Sequence, residues 1–179
     1  GEGPMTEISS SKFSPDFWVG LDPDLRCHDD NLMAIYQYWQ TKRGSRRMPR
    51  RNDIDPIELR AQLGNIVLID VEHDPLRLRY RLIGTKITEV MSRDSTGKYY
   101  DEIYPPDLLG NIYESFQWII DNKAPLRTHG EAFYPDKNFY LYETLNLPLS
   151  EDDSTVNMVL GGLMFHMKSS HEAPLSITT

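Results

Sequence analysis

The sequence predicts an α+β fold: a five-stranded antiparallel sheet with a helical segment over one face and an N-terminal helical extension. Three observations predict it. Two short strand-like runs stand near 66–71 and 77–82. One long helical stripe follows over 106–122, and three more strand runs come after it, near 125–133, 139–147 and 156–167. Sequential strands with segregated helices fit this class. A length of 179 residues suits one domain, large enough to exclude water from a core without disulfides or metal.

Each element has its own signal. Residues 1–28 are polar and Ser-rich, broken by Pro15 and Pro23, and read as a flexible N-terminal segment. Gly1–Pro4 reads as an expression scar before Met5. Phe13, Phe17 and Trp18 are too apolar for pure disorder and are expected to dock on the domain or a second subunit. From Asp30, an N-cap type, Leu32, Ile35, Tyr36 and Trp39 recur at helical spacing and stop near Gly44. Asp55-Pro56-Ile57-Glu58 has the form of a capping box and predicts a short helix ending near Gly64. The period then changes to two. Ile66–Val71 is apolar and β-branched, and in Arg77–Leu82 the residues Leu78, Tyr80 and Leu82 alternate with three arginines. A short helix carrying Ile87, Val90 and Met91 is predicted after Gly84-Thr85. Pro105-Pro106-Asp107 opens the longest helix, with Leu109, Ile112, Tyr113, Phe116, Ile119 and Ile120 on one face. The single domain is expected over 29–167, with a frayed tail at 168–179.

Composition narrows the function classes. There are 27 acidic against 19 basic residues, a net charge of −8, which disfavours nucleic acid as a general partner. No run approaches the roughly 18 apolar residues of a membrane span, and there is no charged-then-apolar leader, so the expected location is cytoplasmic. The single cysteine, Cys27, fits a reducing compartment. Against this acidic background, Lys42–Arg51 carries six basic residues, five of them arginine, between two helix signals. Three readings stay open for this run: a junction whose arginines pair with Asp53, Asp55 and Glu58, a surface for an acidic protein, or a phosphate or nucleic-acid site. Tyr38, Trp39, Arg46, Arg47, Arg50 and Arg51 are the partner-binding candidates.

Certain residues carry a resemblance. Tyr38-Trp39, Met48-Pro49-Arg50-Arg51, Asp53-Ile54-Asp55-Pro56, Tyr80-Arg81-Leu82-Ile83-Gly84-Thr85 and Asp94-Ser95-Thr96-Gly97-Lys98 together resemble PAS_5, a group of small, mostly alphaproteobacterial PAS domains. The resemblance covers roughly 30–167. It implies a PAS-like sheet with a ligand-sized space beneath the helical segment, and a cytoplasmic sensor or interaction module with no established common ligand. It carries no active site. Haem-binding PAS domains place a histidine on the long helix, and 106–122 has none. Light-sensing relatives need a cysteine over the flavin, and Cys27 falls outside the expected core.

The chemistry-bearing residues form no enzyme motif. His28, His73, His129, His166 and His171 show no metal-ligand spacing, so no metal is predicted; His129 and His166 are the pair that strand placement could bring together. No serine sits in a nucleophile elbow, and Gly161-Gly162 lies inside an apolar strand, where glycines mark a bulge or close approach. Tyr80, Leu82, Ile103, Phe116, Phe133, Tyr140, Tyr142, Met158 and Phe165 are the candidates for an inner surface suited to an apolar or aromatic ligand. The competing reading is that they simply fill the core.

The leading expectation is a non-catalytic regulatory module acting in trans on a protein partner, with no cofactor beyond an unidentified small ligand. The N-terminal helix is the candidate for a homodimer contact. A second expectation is a small cone-type isomerase or dehydratase using Glu131 or Glu143 as base. A third is a ligand-free interaction scaffold.

Overall fold

The computed structural model describes residues 19–133 and 139–168, the side chains of 19, 132, 133, 139, 167 and 168 excepted. The elements in order are β1 (Val19–Asp22), α1 (Asp30–Arg43), β2 (Ile66–Glu72), β3 (Arg77–Ile83), α2 (Thr85–Met91), α3 (Tyr100–Ile103), α4 (Pro106–Asn122), β4 (Leu126–Phe133), β5 (Phe139–Leu149) and β6 (Met158–Lys168). All strands pair antiparallel in one sheet of order β1-β4-β5-β6-β2-β3. Five of them are the predicted ones. The sixth, β1, lies in the segment expected to be flexible: Val19–Asp22 pairs with Arg127–Gly130 of β4. Four residues are too few to carry a strand signal of their own, so only the neighbouring strand makes one of them. Phe13, Phe17 and Trp18, and the tail beyond Lys168, lie outside the described residues.

The two faces of the sheet carry different helices. A Cβ built on Gly162 of β6 would meet Leu32 Cδ2 at 2.7 Å and Ile35 Cδ1 at 2.8 Å, so α1 presses its apolar stripe onto that face. Leu32 and Ile35 are fully buried, each worth about 1.5–3 kcal/mol of removed apolar surface. Trp39 completes the stripe and donates its Nε1–H to the Pro148 carbonyl at 2.9 Å. Gly161 faces the other way, towards Val67 and Asn146, onto the side covered by α3 and α4. Here the paired glycines mark close approach on both faces at once.

Three predicted details change. Helix α1 is capped by Asp29, which accepts from the Asn31 N–H, one residue before the expected cap. Residues 55–65 form successive i→i+3 turns ending in a 3₁₀ turn at Leu63–Asn65 rather than an α-helix. The capping box fails because Glu58 is drawn elsewhere. Its carboxylate accepts from the Tyr38 hydroxyl at 2.7 Å and pairs with Lys42 at 3.0 Å. The third change is a β-bulge in β3. Leu82 stands opposite Leu68 but Tyr80 stands opposite Ile69, leaving Arg81 as the extra residue. Successive residues point to opposite faces, so Leu82 leaves the face that Leu78 and Tyr80 share.

Among the described residues no helix is long and apolar enough to cross a membrane. Gly110, exposed inside α4 with nothing within 4 Å of a built Cβ, offers a clean stability test. Gly110→Ala is expected to raise stability by about 0.5–1 kcal/mol, the helix-propensity difference, read as a higher urea midpoint at unchanged slope.

Candidate functional site

The aromatic candidates divide into two clusters. Tyr80 is buried, its hydroxyl 2.6 Å from that of Tyr104 and its ring 4.4 Å from Tyr100. Tyr100 in turn meets Tyr104 at 5.4 Å and Phe116 of α4 at 6.2 Å, both edge-on. Half-buried Ile103 packs against this core. Burial, then the neighbouring tyrosines, holds the Tyr80 phenol well above its ordinary range, so it is neutral at any physiological pH. The second cluster is Tyr140 and Phe165, edge-on at 5.8 Å, with Tyr142 opposite Phe165. Val159, which aligns with Ile69 and through it with Tyr80, lies six residues from Phe165, about 20 Å along β6. The ring contacts thus form two groups along one face, and Phe165 packs against the same core that holds Tyr80, Tyr100 and Phe116. Leu82 and Met158 belong to neither, because the pairing turns both to the α1 side. The Phe133 side chain lies outside the described residues.

The basic run folds back on an acidic loop. The Asp153 carboxylate accepts from the Arg47 and Met48 N–H groups at 3.0 Å, and Glu151 accepts from the Arg51 N–H at 3.0 Å. The guanidinium of Arg46 spans the carbonyls of Met48 (3.0 Å) and Ser150 (2.8 Å), and that of Arg51 reaches the Ile54 carbonyl. So the run is an ordered junction. Of the expected acids, Asp53 accepts from the Arg50 N–H at 2.8 Å and Glu58 pairs with Lys42. The side chains of Arg46 and Arg51 are held by carbonyls, and the 151–153 loop supplies the other carboxylates. Of the candidates, the side chains of Arg47 and Arg50 are exposed, Tyr38, Arg46 and Arg51 are half-buried, and Trp39 is 3% exposed. Trp39 is spent inside the protomer and offers no outward surface.

A third feature lies on the α1 side. Arg127, Asp22 and Glu143 are the buried charged side chains among the described residues. Arg127 donates from Nε to Glu143 at 2.6 Å and from an Nη to Asp22 at 3.1 Å. The spare acceptor capacity is filled by backbone. Asp22 accepts from the N–H groups of Asp24 and Arg26, and Glu143 from those of His28 (2.7 Å) and Asp29 (3.0 Å). Two carboxylates, one guanidinium and four amides thus form a closed clasp. It fastens residues 22–29, and with them the cap of α1, to the sheet. Pairing places Glu131 on the same face as Glu143.

A family model described as PAS_5, a PAS domain, matches residues 28–164. The chain belongs to the PAS_5 family of PAS domains. No curated protein matches it. Solved structures similar to this PAS domain include an RNA-binding light-oxygen-voltage receptor, at 13% identity and TM-score 0.45. That match covers 84% of this chain and 38% of the receptor, so the chain spans well under half of that relative's length. A point variant of RsLOV matches at 11% identity and TM-score 0.46, over 65% of this chain and 71% of that one. The light-state Aureochrome1 LOV domain matches at 10% and 0.41, over 63% and 88%.

The clasp of this PAS_5 domain was missed in the sequence. Arg127 and Glu143 sit at same-face, diagonal positions of adjacent predicted strands, a pairing that antiparallel register would have revealed. Asp22 gave no signal. Nor was Cys27 read correctly. It packs, half-buried, against the core beside the clasp. Burial first, and then the Glu143 charge, pushes its thiol from 9.0 up to about 11. Between pH 9 and 11 the unfolded chain has lost this proton and the folded chain has kept it, so raising the pH favours unfolding. Stability is expected to be insensitive to this group below pH 9 and to decline above it. Cys27→Ser is expected to flatten that decline between pH 9 and 10 in urea titrations; an unchanged slope would show that the thiol is not protected. His129 and His166 both share the clasp face, with His166 Nε2 3.8 Å from Asp29. Among the described residues no three His, Cys, Asp or Glu side chains are arranged to hold a metal ion.

Proposed function

We propose that this PAS_5 domain is a non-catalytic regulatory module that acts in trans through contacts with a protein partner. The observation that carries the reading is the placement of the acids. Glu143, one of the two strand carboxylates expected as candidate bases, is bound by Arg127 and two amides on the face opposite the aromatic residues, and Glu131, the other, shares that face. A cone-type enzyme needs such a base inside its cavity, within reach of the substrate. The aromatic face instead presents neutral tyrosines packed ring on ring. This supports ligand control by an apolar or aromatic molecule that inserts between them, with the Tyr80 and Tyr104 hydroxyls as its polar anchors, and a shift of helix packing as the output. Arg47 and Arg50, exposed at the junction, are the proposed outward contacts.

Native mass spectrometry of freshly purified protein tests the ligand-controlled form. A reproducible small-molecule adduct, lost in Tyr80→Ala, is the expected result. A bare mass, together with no thermal stabilisation across a panel of aromatic ligands, would replace this form with a ligand-free scaffold.

A further inference from the structure

We infer that strand β1 is a coupling strap, tying the C-terminal end of α4 on one face of the sheet to the N-terminus of α1 on the other. Two consecutive residues carry the tie. Leu21 stands opposite Thr128 and Asp22 opposite Arg127, so their side chains leave the strand on opposite faces. Leu21 is buried with Ile119 of α4 and Leu126, and Trp118 and Tyr142 close over them, in a cluster separate from the main core. Asp22 enters the clasp, where it holds Arg127 and the amides of Asp24 and Arg26. From there the six residues 23–28 reach the cap of α1, whose Asp29 amide is held by Glu143.

The arrangement makes the last turns of α4 and the first turn of α1 share one short element. Among the described residues strand β1 makes four residue pairs with β4, and its neighbouring residues Leu21 and Asp22 are held on opposite faces. Loosening Leu21 on the α4 side shifts Asp22 with it, because one peptide unit separates them. A buried carboxylate cannot drift from its guanidinium and amides without leaving them unpaired, so the movement is passed on as release of residues 23–29. This deepens the regulatory reading by naming the element through which a change in helix packing on the aromatic side reaches α1.

The lone thiol supplies the probe. Cys27 lies in the segment that follows the strap, half-buried against the core, so opening of residues 23–29 uncovers its thiol and speeds alkylation by iodoacetamide. Labelling rates at pH 8 are compared in the natural sequence, Ile119→Val, Leu21→Ala and the double variant. Ile119→Val deletes one methylene group at the far end and touches nothing in the clasp. It is expected to speed labelling by about threefold to tenfold, the range of a buried Ile→Val loss. In the Leu21→Ala background the same change is expected to alter the rate by less than about 1.5-fold, because the link is already cut. No acceleration by Ile119→Val alone, or an equal acceleration in both backgrounds, overturns the inference. Amide exchange at Val71 and Tyr80, on the far strands, separates local release from global loosening. Should Leu21→Ala label as fast as the urea-unfolded chain, Leu21→Val takes its place in the same cycle with the same two criteria. The cycle reads the isolated chain. Its failure leaves partner binding untouched, and absence of a partner would not alter these rates.

Discussion

Gly84→Ala is expected to lower stability by about 3 kcal/mol, at the upper end of overpacking losses, and the melting temperature by roughly 6–12 °C for a domain of this size. A Cβ at this position would lie 2.3 Å from the Gly64 oxygen and 2.4 Å from both the Gly64 carbon and the Leu63 oxygen. All three are backbone atoms, so no rotamer change relieves the contact. Relief requires moving the 3₁₀ turn at Leu63–Asn65, which would stretch the 2.8 Å bond from the Gly84 N–H to the Ile66 carbonyl at the start of β2. The glycine's own backbone is extended and within reach of any residue, so the requirement is space rather than conformational freedom. Urea denaturation of this variant beside Gly110→Ala makes the comparison internal. The same change is expected to destabilise at one position and stabilise at the other. A loss below about 1 kcal/mol for Gly84→Ala would mean that the turn yields without strain.

Glu143→Ala is expected to cost about 4 kcal/mol, the range for breaking one partner out of a buried ion pair. Three donors lose their acceptor together: the Arg127 Nε–H and the amides of His28 and Asp29. Arg127 keeps Asp22, so its charge is not stranded, but the cap of α1 is no longer fastened to β5. Glu143→Gln retains one acceptor oxygen at the same reach and is expected to lose less, since fewer of the three donors go unmet. The signature beyond global stability is local. Amides of residues 26–31 should exchange faster in Glu143→Ala while those of the β2–β3 ladder keep their relative protection. A uniform change across the domain would show that the clasp contributes bulk stability without securing this segment. The surface pairs of Arg77, Arg79 and Arg81 on β3 are a useful contrast, because exposed ion pairs of this kind contribute little.

The elements that the sequence determined are those whose signal is periodic and local. Leu32, Ile35 and Trp39 recur at helical spacing, and they are the residues of α1 that end up buried. Pro106 opens α4 at its first turn, and Tyr80 alternates inward between arginines, each for reasons contained within a few residues of chain. The family motifs were legible as well, although not what they do. The glycine of Tyr80–Thr85 is needed because a turn twenty residues earlier lies against it, and Met48–Arg51 is held by a hairpin loop a hundred residues later.

Tertiary structure alone decided which faces those periodic residues share. One extra residue at Arg81 takes Leu82 off the face of Tyr80, and the pairing of β6 with β2 turns Met158 away with it. Strand β1 exists only because β4 offers a free edge, and Asp22, Arg127 and Glu143 meet only once β1, β4 and β5 are in register. A sequence carries alternation and propensity, which are properties of neighbours along the chain. Register, bulges and the pairing of buried charges depend on the free energy of partners far apart in sequence, and that becomes defined only when the sheet has formed.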